Sequence, residues 1–104
     1  MRQLLFLFAL TFLSSSGYGQ EPDWENFEKR SLQTLVDLIK LDTSQPAGNE
    51  YLAAEYIAGR LDAVGIPYKT YEPVKGRTSI VARLKGNGSK PPVLLLGHTD
   101  VVTV

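Results

Sequence analysis

The stretch Pro91-Pro92-Val93-Leu94-Leu95-Leu96-Gly97-His98-Thr99-Asp100-Val101-Val102 decides how this chain is read. Val93–Leu96 is a short, uninterrupted apolar run bounded by a proline pair and a glycine. A run apolar on both faces suits a central strand covered on each side by helices, so a buried strand is expected there. His98 is the single histidine of the chain, and Asp100 follows it two residues later. In open α/β sheets, ligands gather at the carboxyl ends of strands. If the backbone stays extended past Gly97, His98 and Asp100 share one side and Thr99 takes the other. A neutral imidazole nitrogen is a good zinc ligand, and its other ring nitrogen needs an acceptor that fixes tautomer and orientation. Asp100 is the right residue type to be that acceptor, or a ligand in its own right. The same pair also fits a structural histidine satisfied by protein hydrogen bonds, and spacing alone leaves both readings open.

Working outward, Gly86-Asn87-Gly88-Ser89 is turn chemistry. Before it, Thr78–Leu84 reads as a strand with Ile80, Ala82 and Leu84 on one face and Val81 and Arg83 on the other. Pro67–Tyr71 reads as another strand. Upstream of Gly65 the period changes from two to that of a helix. Leu52, Ala53, Tyr56, Ile57, Leu61 and Val64 form one stripe. Asn49 is placed as N-cap, Glu50 sits against the positive end of the helix dipole, and Gly65 takes the left-handed C-terminal position. Asp42-Thr43-Ser44-Gln45-Pro46-Ala47-Gly48 is a turn-rich break. Ahead of it, Phe27, Leu32, Leu35, Val36 and Ile39 mark an amphipathic helix from Trp24 to near Leu41. Two helices followed by three strands predict a mixed, layered α/β domain. The acidic residues of the helices, such as Glu50 and Glu55, are expected to be solvated surface or cap groups.

Eleven basic residues balance eleven acidic ones without blocks of either sign, which excludes the basic stripe that nucleic-acid binding needs. The absence of cysteine removes disulfides and thiolate metal sites. At the N-terminus, Arg2, the apolar run Leu4–Leu13 and the small residues Ser14–Gly19 stand in the order of a secretory signal. The apolar run is about half of the ~20 residues a membrane span requires. Residues 1–19 are therefore expected to be a signal peptide. The mature chain from Gln20 is expected to be exported, periplasmic or secreted, with no membrane attachment after cleavage.

The segment Leu94-Leu95-Leu96-Gly97-His98-Thr99-Asp100-Val101-Val102 resembles the first metal motif of a zinc-dependent exopeptidase and deacylase family. That family contains glutamate carboxypeptidase, aminoacylase-1, acetylornithine deacetylase and succinyl-diaminopimelate desuccinylase. Upstream segments resemble the family in the same order. Leu38–Ser44 is similar to its first helix and turn, Gly48-Asn49-Glu50 to its second helix start, and Gly65-Ile66 with Ser79–Arg83 to the stretch leading into the metal strand. Where this chain has Thr103, the family commonly has proline.

The resemblance implies a three-layer α/β/α fold with a mixed sheet, of which residues 20–104 would be the incomplete N-terminal part. It implies that His98 binds one of two Zn2+ ions, for which Co2+ can substitute, and that Asp100 is the carboxylate orienting its imidazole. The activity implied is hydrolysis of peptide or N-acyl amino acid substrates. Further ligands, a bridging aspartate and a Glu-Glu pair would lie C-terminal to Val104, and a homodimer stays open for the complete protein. Motif order separates this reading from the D-x-H opening of calcineurin-type phosphatases and the H-x-H opening of amidohydrolase barrels and metallo-β-lactamases. The rival from another class is a secreted, non-catalytic α/β binding domain in which His98 is structural.

Expression from the native start codon in a bacterium should yield exported protein lacking residues 1–19. Intact-mass analysis checks this, and Met1 retained on membrane-bound material would show an anchor instead.

Overall fold

The computed structural model describes residues 21–103; the expected signal peptide lies outside them. Four elements follow in the order α1 (Trp24–Ile39), α2 (Glu50–Asp62), β1 (Tyr68–Tyr71) and β2 (Ser79–Ala82). This is a mixed α/β arrangement. No helix among the described residues is long and apolar enough to cross a membrane.

Helix α1 starts where Asp23 accepts a hydrogen bond from the Asn26 backbone N–H at 3.0 Å, which satisfies one of the orphan donors of the first turn. Its apolar stripe faces outward: Phe27, Leu32, Leu35 and Ile39 are all exposed. The opposite side meets α2 through the Tyr56 hydroxyl, which donates to Asp37 at 3.1 Å. The periodicity thus gives the helix correctly, but among the described residues nothing covers the stripe.

Helix α2 lies on the β1–β2 hairpin through its smallest side chains. Ala53 and Ala54 form the buried apolar core of the described residues. The hairpin is antiparallel, with Tyr68 opposite Ala82 and Tyr71 opposite Ser79. A two-stranded hairpin is marginal alone, so its contact with α2 is what holds it. The strands are shorter at their ends than the alternation suggests, and Leu84 is exposed beyond the last ladder pair. Gly65 is left-handed (φ 69), as its place after the helix requires, and the Ile66 N–H reaches back to the Leu61 carbonyl at 3.0 Å. At the expected turn, Gly88 has φ 81 and the Ser89 N–H donates to Asn87 Oδ1.

Two expectations are corrected. Asn49 occupies the N-cap position of α2, yet its side chain makes no capping bond. The Tyr51 N–H instead donates to the Gly76 carbonyl at 3.0 Å, so a neighbouring turn does the capping. Val93–Leu96 forms no strand, and its side chains are 81–91 % exposed. A strand exists through its ladder, and among the described residues no segment pairs with this run. Pairing begins only at Val101, which forms an isolated parallel bridge with Ser44.

The cap on α2 depends on close backbone approach. Gly76 is left-handed (φ 82), and a Cβ there would overlap the carbonyl oxygen of Gly48, itself at φ 72. Gly76→Ala combines a left-handed side chain with this clash. It should destabilise the chain by at least ~1 kcal/mol. Gly86→Ala, which meets nothing within 4 Å, should be nearly neutral. Urea midpoints followed by circular dichroism check the pair, and equal midpoints would contradict this packing.

Candidate metal centre at His98

The segment carrying His98 and Asp100 is stitched to the loop that follows α1. The Val101 N–H donates to the Thr43 carbonyl at 3.2 Å, and the Gln45 N–H donates to the Val101 carbonyl at 2.9 Å. The hydroxyl of Thr43, a buried residue, donates to the Thr99 carbonyl at 2.6 Å. These bonds place Asp100 beside Gln45 although the two are 55 positions apart.

His98 and Asp100 lie in direct contact. Nδ1 of the imidazole is 3.1 Å from Asp100 Oδ1 and 3.0 Å from the Asp100 carbonyl oxygen. Both neighbours are acceptors, so the proton belongs on Nδ1, which donates to them. In the neutral ring Nε2 then keeps its lone pair, and the side chain is 85 % exposed. One nitrogen is held by the protein while the other is offered outward.

The second Asp100 oxygen is held from behind. Gln45 Nε2 donates to Asp100 Oδ2 at 3.1 Å and to Glu50 Oε1 at 3.1 Å. Arg77 donates to Gln45 Oε1 at 2.6 Å and to Glu50 Oε1 at 2.9 Å. Glu50 is buried, 8 % exposed, and its Oε2 has no partner among the described residues. Of the two roles expected of Glu50, a solvated surface group or a group at the helix end, only the first is corrected: it lies in the first turn of α2, buried, and forms an ion pair with Arg77. Glu55, by contrast, is exposed as expected.

The hydrogen bond from Gln45 holds the Asp100 carboxyl below the usual carboxylate range, against the opposing effect of partial burial and with help from His98. A lowered pKa in the folded state contributes stability that is full above the ordinary carboxylate value. That contribution is lost as pH falls through the lowered one.

Gln45, Glu50 and Arg77 complete the site and are not legible as site residues in the sequence. They come from three segments, and only the fold makes them neighbours. Among the described residues no group of three or more His, Asp or Glu side chains is placed to hold a metal together. A depression of about 790 Å³ lies between α2 and the hairpin, with Tyr51, Ala54, Tyr68 and Lys75 in its lining. It includes none of the network residues, so it is separate from this chemistry. Comparison with family models, with curated proteins and with solved structures gives no match in any of the three.

The arrangement can present an oriented imidazole, with Nδ1 held by Asp100, to an electrophile at Nε2. An oriented imidazole backed by a carboxylate is the usual form of a zinc-binding histidine.

Proposed function

We propose that this chain carries the first metal-binding motif of an exported two-zinc hydrolase that cleaves peptide or N-acyl amide bonds. Its domain would be a three-layer α/β/α fold with a mixed sheet. The observation that carries the reading is the His98–Asp100 contact, with Nδ1–H turned to the carboxylate and Nε2 left outward. The motif resemblance around Gly97-His98-Thr99-Asp100 supplies the reaction class. The exposed stripe of α1 and the uncovered Val93–Leu96 run fit elements that belong inside a larger layered domain. The parallel bridge at Ser44 and Val101, beside an antiparallel hairpin, fits a sheet of mixed sense.

His98 would hold one zinc through Nε2. Bound there as one of a pair, zinc supplies Lewis-acid polarisation of an amide carbonyl and a hydroxide at neutral pH. Asp100 acts through His98: it keeps the proton at Nδ1, fixes the ring plane and makes Nε2 a stronger donor. It is a positioning residue rather than a group that touches the scissile bond. The rival, a secreted binding domain with a structural His98, uses the same Nδ1–Asp100 contact but gives Nε2 no partner among the described residues.

In the complete enzyme, His98→Ala should remove one metal and nearly all amide hydrolysis. Asp100→Asn should weaken zinc binding or activity roughly 10–100-fold. Zinc by elemental analysis after dialysis, together with turnover of dipeptides and N-acyl amino acids, checks both. Unchanged zinc content and turnover in His98→Ala would contradict the assignment.

A further inference from the structure

The Gln45 side-chain amide has partners on both its oxygen and its nitrogen. Its oxygen takes a hydrogen bond from Arg77, and its nitrogen donates to two carboxylates, Glu50 and Asp100. Flipping the amide would set its oxygen against both carboxylates and its NH2 against the guanidinium, so only one orientation is satisfied. Glu50 and Arg77 are in turn fixed to each other at 2.9 Å, with Glu50 buried at the first turn of α2. The result is a continuous chain of donors and acceptors from Arg77 through Gln45 and Asp100 to His98 Nδ1.

We infer that Gln45 is a positioning residue for the proposed metal centre, aiming the Asp100 carboxylate so that His98 presents Nε2 outward in a single orientation. This role rests on the proposed function, with His98 as the zinc ligand. Without the Gln45 donor, Asp100 Oδ2 has no protein partner among the described residues, and the carboxylate can rotate away from Nδ1. The imidazole then loses the bond that holds its plane and tautomer. A hydrogen-bonding partner one step behind a ligand typically affects metal affinity or activity by about 10–100-fold. Gln45 stands one step further back, so the low end of that range is expected.

Two variants in the complete enzyme separate this role from a structural one. Gln45→Leu removes both donors at similar volume. Gln45→Glu keeps an acceptor for Arg77 but turns a second carboxylate oxygen toward Asp100 and Glu50. Each should lower zinc affinity about 10-fold. Each should also reduce kcat with little change in KM, and shift the visible ligand-field bands of the cobalt-substituted enzyme. Their far-UV circular dichroism should match that of the parent.

Wild-type zinc affinity and cobalt spectrum in both variants would overturn the inference. So would loss of folded structure in both, which would make Gln45 a structural residue only. His98→Ala, measured alongside, keeps the two failures apart. If it retains both metals, the metal reading itself falls. If it loses one while the Gln45 variants bind like wild type, only the role of Gln45 falls.

Discussion

The ion pair between Glu50 and Arg77 is the contact on which the rest of the described structure depends. It joins the first residue of α2 to the turn before β2, and both partners hold Gln45, which holds Asp100. Taking a carboxylate out of water is costly, and a partly buried pair adds little net stability over an apolar one. What it gives is placement. A guanidinium with fixed donor directions and a carboxylate on a helix terminus permit few alternative geometries, so the loop carrying Gln45 has one satisfied arrangement.

Placement by polar contacts matters here because the apolar core is so thin. Ala53 and Ala54 let α2 approach the hairpin closely, but two alanines bury little surface. Gly76 extends the same logic to the backbone, where a side chain would overlap the Gly48 carbonyl oxygen and prevent the approach that caps α2. Meanwhile Leu32, Leu35, Ile39 and the Val93–Leu96 run remain in water. The local geometry around His98 is therefore set by hydrogen bonds and close backbone contact rather than by side-chain packing.

This division explains what can be read from residues alone. The two helices, the left-handed Gly65 and the left-handed Gly88 are local, and each is present as the sequence suggests, while β2 forms but ends at Ala82. The His98–Asp100 contact is legible because two residues separated by one position are enough to define it. The Gln45–Glu50–Arg77 network is not. Its members are scattered across more than thirty positions, and a glutamate at the first turn of a helix ordinarily satisfies the dipole at the surface. Asn49 misleads for a related reason: an excellent capping residue is redundant when the Gly76 carbonyl reaches the same helix end. Val93–Leu96 has the composition of a central strand, but a strand is defined by neighbours that its own sequence does not specify.

In the proposed site His98 offers Nε2 to zinc while Asp100 holds Nδ1. Anomalous diffraction at the zinc edge, on crystals of the complete protein grown with zinc, tests it most directly. The expected result is a peak about 2.0–2.1 Å from His98 Nε2, with Asp100 still bonded to Nδ1. A fully zinc-loaded crystal with no peak at His98, and with Nε2 hydrogen-bonded to a protein acceptor, would contradict it.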